Sequence, residues 1–295
     1  MDELIDSGMS TTARPRSPRR SRRRLMPVIG TGVLITIAVM AVWPHSWLPH
    51  DPTKIDPALR FTPQAWTEAG TMTHVLGTDV LGRDILSLMV AGARASLLIV
   101  MGAALLSLVL GITAGMVAGH MGGRVDALLM RLTDIQLSFP VLVIIIAVVA
   151  VFGPSVTNLI LVLAVASWAP YARLVRGLVL GIKEQEFIDA ARAAGAPAHS
   201  IMVRHYLPNV TTSVVIFTTF EFARLLLVEA ALSFLGLGVQ PPTPSWGRMI
   251  AEAREYLFEA WWASALPGLL IVLAVLSFNL IGDEIRDRLD PMGAS

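Results

Sequence analysis

The chain has 295 residues, 54% hydrophobic and only 15% charged, where soluble domains run at roughly 45–50% apolar and about 25% charged. Its 23 basic and 22 acidic residues leave a net charge of +1, which excludes a disordered polyelectrolyte and the basic face of a nucleic-acid binder. The absence of cysteine removes disulfide scaffolds, thiolate metal sites and Cys nucleophiles, and a positive mean hydropathy points to lipid as the solvent.

The first segment, 1–24, is a basic tail with seven arginines between Arg14 and Arg24 against Asp2, Glu3 and Asp6. Its Arg19–Arg24 run abuts an apolar stretch, 25–43, long enough to span and not followed by an A-x-A-like cleavage site, so it reads as a membrane-flanking anchor rather than a signal peptide. A spanning helix needs about 20 mostly apolar residues. No acidic residue, Lys or Arg lies between Arg94 and Arg124, which predicts a second span. The uncharged run from Ile135 to Ala172 is divided by Phe152-Gly153-Pro154-Ser155, turn chemistry with Ser155 placed to cap the next helix. It holds a third span, extended backwards through a turn with Arg131 and Asp134, and a fourth. A fifth covers about 210–236 and a sixth 262–282. The predicted fold is an all-α integral membrane protein of six transmembrane helices. The core is 92–282, the outer loop 44–91, and the C-terminal tail 283–295.

Cytoplasmic loops collect Lys and Arg. With the N-terminus inside, 16 of the 23 basic residues fall on inner segments, while only Lys54, Arg60, Arg83, Arg248 and Arg254 fall outside. The orientation read from this is N-in, C-in. The inward connection 177–209 reads as helical, with good helix formers from Gly181 to Ala194. Small alanines permit close approach of another surface, Gly195 can take positive φ to end a helix, and Pro208 is expected to end the segment before the fifth span. Such a helix–turn–helix suits a groove in a partner. An Ala-rich linker lying on the membrane is the plainer alternative.

Catalytic signatures are absent. The only lysines, Lys54 and Lys183, lie in no G-x-x-x-x-G-K-[ST] context, and neither H-E-x-x-H nor G-x-S-x-G occurs. The six histidines, at 45, 50, 74, 120, 199 and 205, show no metal-ligand spacing. The chain reads as a non-enzymatic membrane protein without a metal or nucleotide of its own. Uphill transport then needs an ion gradient or another chain for its energy.

The run Asp189-Ala190-Ala191-Arg192-Ala193-Ala194-Gly195-Ala196, followed by Arg204-His205-Tyr206-Leu207-Pro208-Asn209, resembles the "EAA" coupling motif of ATP-binding-cassette importer permeases. More narrowly it is similar to the peptide/nickel permeases, with Asp189 where many members have Glu. Further matches are His74-Val75-Leu76-Gly77-Thr78-Asp79 with Gly82-Arg83-Asp84, Gly122-Gly123-Arg124-Val125-Asp126, Leu232 to Gln240, Trp246-Gly247 and Asn279 to Asp283. Leu88 follows Ser87 where relatives tend to have Arg. Together they cover about residues 74–291 and resemble the "C"-type dipeptide/oligopeptide permeases of the bacterial cytoplasmic membrane.

That resemblance implies a lipid-embedded subunit paired with a second, "B"-type permease, two ATPase domains or subunits that hold ATP and Mg, and an extracytoplasmic solute-binding protein. It places Asp189, Ala190, Ala191, Arg192, Gly195, Ala196, Arg204, His205, Leu207 and Pro208 in the ATPase-coupling loop. Glu221, Arg224 and Glu229 lie within the fifth span, where ionisable groups are costly and face protein or water. They could line the solute path, but Glu221 and Arg224, spaced i,i+3, read better as a structural pair. For Glu229 both readings stay open. Thr78, Asp79, Arg83 and Asp84 are candidate outer-loop contacts, or a capped turn ordering that loop. Asp134 reads as a structural partner of Arg131 or Arg124. Gly102, Gly111, Gly115 and Gly119 suit close helix packing. A self-contained secondary transporter is the rival reading, but it predicts an inverted repeat that the sequence does not show.

Overall fold

The computed structural model describes residues 19–289, so the expectations for 1–18 and 290–295 lie outside the described residues. The described chain is helical, with one isolated bridge, Thr78 to Asp84, and no strand. Its helices are α1 (Arg19–Val42), α2 (Ile85–Met121), α3 (Gly123–Leu137), α4 (Val141–Phe152), α5 (Val156–Lys183), α6 (Glu186–Ala193), α7 (Ala198–Ile201), α8 (Leu207–Phe234), α9 (Trp246–Ala253) and α10 (Trp261–Leu289). Helices α2, α5 and α10 are long and apolar enough to cross a membrane, and α1 has a shorter apolar stretch, Met26–Val42. Helix α8 has the length, with Glu221, Arg224 and Glu229 along it.

Local chemistry sets the boundaries. The Asp84 carboxylate caps α2 by accepting from Ser87 N–H at 2.8 Å, so this helix starts at Ile85, ahead of the predicted core boundary at 92. Ser155 caps α5 as expected, accepting from Asn158 N–H at 3.1 Å. The predicted third span is not one straight helix. Pro140 disfavours helical geometry at Phe139, and α3 and α4 meet there at 86°. Helix α5 runs on to Lys183, past the loop start expected at 177, and α10 runs through residues assigned to the C-terminal tail.

The central contact is α2 against α5, which lie side by side and run in the same direction. Gly102 meets Ile160, Gly111 meets Tyr171, Gly115 meets Ala172 and Val175, and Gly119 meets Val179. A Cβ at Gly115 would stand 2.6 Å from the Ala172 carbonyl oxygen, so only glycine lets the backbones close. Helix α8 returns the opposite way, and Phe222 on it stacks on Phe278 of α10 at 5.3 Å. The assembly therefore has two distinct ends. One gathers the ends of α2 and α5 with α6, α7 and the start of α8. The other gathers the 44–84 loop, α9 and the start of α10.

Candidate functional site

At the first end, α6 to α8 form a platform seated on the helix ends. Ile188, Ile201, Tyr206 and Val210 are buried and pack with Met116, Tyr171, Val175 and Val179. The Lys183 ammonium donates to the His120 carbonyl at 2.8 Å, tying the end of α5 to the end of α2, where a cation also suits the helix dipole. Helix α6 ends in a Schellman motif: Gly195 has φ +77°, its N–H donates to the Arg192 carbonyl (2.9 Å), and Ala196 N–H donates to Ala191 (3.0 Å). With one face of α6 held down by Ile188, its other face presents Asp189, Ala190 and Arg192, with Gly195 beyond, all exposed. Asp189 and Arg192 pair along the surface at 3.1 Å.

Pro208 does not end the segment, contrary to the expectation. The helix runs from Ala198 through a wide π turn at Met202–Tyr206 directly into α8. Proline has no N–H to give, and it is accommodated just after that turn, where Leu207 N–H reaches back to the Met202 carbonyl. The Asn209 side-chain amide donates to the His205 carbonyl at 2.7 Å. Arg204 is exposed, while His205 and Leu207 are half-buried.

In the middle of the assembly, Arg224 donates from Nε and Nη2 to the two Glu221 oxygens (2.9 and 2.5 Å) and from Nη2 to the Ser167 hydroxyl of α5 (2.7 Å). The two are paired at their i,i+3 spacing, and Ser167 joins α5 to them. Glu229 is 1% exposed and accepts from the Ser233 hydroxyl at 2.8 Å. Asp134 pairs with Arg173 of α5 at 2.6 Å, not with Arg131 or Arg124 as expected, because α3 lies across α5. Asp126 likewise takes Arg176.

At the second end the outer-loop candidates are turned inward. Thr78 accepts from Thr62 N–H (2.9 Å) and donates to the Leu59 carbonyl. Asp79 accepts from Leu81 N–H, Arg83 N–H and Arg83 Nε at 2.7–2.9 Å. Arg83 also reaches Glu252 on α9 (2.5 Å), which accepts from Arg248 (2.6 Å). Burial lowers the Arg83 guanidinium, but Asp79 and Glu252 outweigh it and hold it above its ordinary value. These side chains tie the loop to itself, to α2 and to α9. Sequence reasoning missed Arg248 and Glu252, and it missed that His50, His74 and Asp84 converge, with possible ligand atoms all within 4.8 Å. Arg248 and Glu252 carry the i,i+4 spacing of a helical pair, whereas no local spacing joins Arg83 to Glu252 or brings His50, His74 and Asp84 together.

Residues 111–292 match the family described as "Binding-protein-dependent transport system inner membrane component". The chain belongs to this family. The permease is 43% identical to the di/tripeptide transport system permease protein DppC of Pseudomonas aeruginosa (strain UCBPP-PA14), over 88% of this chain and 84% of that one. It is 41% identical to the nickel transport system permease protein NikC of Escherichia coli (strain K12), over 88% and 91%. It is 38% identical to the glutathione transport system permease protein GsiD of Pectobacterium atrosepticum, over 98% and 94%. The permease is thus an inner-membrane, non-enzymatic subunit of the peptide, nickel and glutathione type of ABC import system.

Proposed function

We propose that this permease forms half of the translocation pathway of an ATP-driven importer of di- and oligopeptides, and that α6 with its Schellman turn is the element its ATPases grip. The observation that carries this is the division of the platform into a buried apolar face and an exposed face of Asp189, Ala190, Arg192 and Gly195. A linker lying on the membrane would turn Ile188 and Ile201 outward to lipid, whereas here both are spent on the bundle, with Phe187 and Val203 left exposed. The full pathway comprises this chain and a second, "B"-type permease in the lipid bilayer. ATP and Mg belong to two ATPase domains or subunits, and an extracytoplasmic binding protein delivers the peptide. Peptide as the substrate class rests on the di/tripeptide and dipeptide relatives.

The topology that fits is six spans with both termini cytoplasmic, counting α1, bent α3–α4 and α8 as spans beside α2, α5 and α10. Its support is charge: Arg124, Arg173, Arg176, Lys183, Arg192 and Arg204 all belong to the end that carries α6. Closure of the ATPases on nucleotide then moves the platform. Because α7 is continuous with α8, the displacement passes along a rigid helix towards Glu221, Arg224 and Glu229. A ligand-driven change of this kind needs contacts that differ between two states, and the exposed face of α6 supplies them.

The absence of cysteine makes the test direct. Ala190→Cys in the assembled complex should cross-link to a single cysteine in an ATPase groove, with a yield that changes on adding Mg-ATP. A cross-link that forms equally from Lys54→Cys in the opposite loop, or none from Ala190→Cys, would remove α6 as the docking element.

A further inference from the structure

We propose that His50, His74 and Asp84 form a binding site for a borderline divalent transition-metal cation, of which zinc is the working probe. The three residues come from separate places: His50 from the segment after α1, His74 from deep in the 44–84 loop, and Asp84 from the cap of α2. The fold holds each in place. The His50 backbone N–H donates to the Ser87 hydroxyl (3.2 Å), and that hydroxyl donates to Asp84 Oδ2 (2.8 Å). Oδ2 also accepts the capping N–H of Ser87, which leaves Oδ1 directed at the two imidazoles. His74 Nδ1 lies 3.0 Å from Oδ1 and His50 Nδ1 3.8 Å from the same oxygen.

Those separations suit a metal. Zinc bonds of about 2.0–2.1 Å in tetrahedral geometry put neighbouring ligand atoms about 3.3 Å apart, between the two distances observed. The imidazole rings are 4.4 Å apart and tilted by 34°. Two further observations favour a cation here. His50 Nδ1 is shielded from solvent and has no hydrogen-bond partner, an arrangement that calls for an explanation in a native fold. Asp84 is 3% exposed, and among the described residues no lysine or arginine pairs with it. Two imidazole nitrogens with one carboxylate oxygen are the donors that borderline transition metals favour over calcium or magnesium. Three protein ligands would leave the fourth tetrahedral position to water or an outside ligand.

Binding would pin the segment after α1 to the start of α2, at the end of the molecule opposite α6. It would also require His74 to present Nδ1 as its unprotonated nitrogen, with the ring N–H on Nε2. The plain alternative is a His74–Asp84 hydrogen bond with no ion.

The test uses the full chain in detergent micelles, without a polyhistidine tag and stripped with chelator. Titration with Zn²⁺ should show one saturable site that raises the melting temperature, and Co²⁺ in its place should give the intense visible absorption of low-coordinate cobalt. His50→Ala and His50→Gln leave the Asp84 cap and the His74 contact intact. Both should weaken zinc binding by about 10–100-fold or more without changing the metal-free melting temperature, whereas His199→Ala at the opposite end should bind as the parent does. Absence of saturable binding, or binding by both His50 variants as tight as the parent's, would overturn the site and leave the hydrogen bond as the whole account.

Discussion

The seam between α2 and α5 brings two backbones close together, and it supports a paired prediction. A Cβ at Gly111 would overlap the Tyr171 Cβ and stand 2.8 Å from the Trp168 carbonyl oxygen and 3.1 Å from the Ala172 nitrogen. Two of these atoms are backbone and the third is bonded to it, so no side-chain rotation relieves the overlap and α5 must move. Gly177, on α5 itself, has nothing within 4 Å of the same added atom. Alanine gains about 0.8–1 kcal/mol of helix propensity over glycine at either site. Overpacking costs about 1–3 kcal/mol at Gly111 alone. The difference between Gly111→Ala and Gly177→Ala therefore isolates the overlap at about 1–3 kcal/mol, with Gly177→Ala the more stable. Reversible SDS unfolding of the isolated chain in mixed micelles, followed by helix content, measures it. Equal unfolding midpoints for the two variants would refute the close-packed seam.

Arg224→Met should destabilise by about 3–5 kcal/mol, because it leaves Glu221 buried without its partner. Adding Glu221→Gln should restore most of that loss, and a double variant that folds but transports nothing would instead place the pair on the solute path. Glu252→Gln removes the charge and one of the two oxygens that take Arg83 and Arg248, at about 1–3 kcal/mol for the donor left poorly satisfied. Limited proteolysis should then cut the 44–84 loop faster than in the parent, while unchanged cleavage would show that Asp79 alone holds Arg83.

How much of this was legible beforehand follows from the range of each interaction. The Ser155 cap, the Gly195 helix end and the α2 glycine row depend on residues within a turn or on one helix face, and sequence spacing reports them directly. The α6 element was legible as helix–turn–helix for the same reason. Pro208 does not end its helix because a π turn, a tertiary accommodation, lets the helix pass through it. Asp134 was assigned to neighbours in sequence, yet its partner Arg173 lies 39 residues away. The 86° bend at Phe139-Pro140 was hidden inside one apolar run, since hydropathy carries no direction. Arg83 with Glu252, 169 residues apart, and the His50–His74–Asp84 cluster appear only once the 44–84 loop folds onto α2 and α9.

The central claim is that movement of the exposed α6 platform by separate ATPases drives transport. Gly195 allows a sharp test, because nothing in this chain lies within 4 Å of its added Cβ. Gly195→Ala carries only the left-handed backbone strain, about 1–2 kcal/mol, whereas Gly195→Trp adds bulk that meets a partner alone. In proteoliposomes holding the complete complex and its binding protein, the account predicts ATP-dependent peptide uptake for the parent and Gly195→Ala. It predicts neither uptake nor ATPase association for Gly195→Trp. Uptake by Gly195→Trp at the Gly195→Ala rate, or uptake by any form without ATPase subunits, would contradict it.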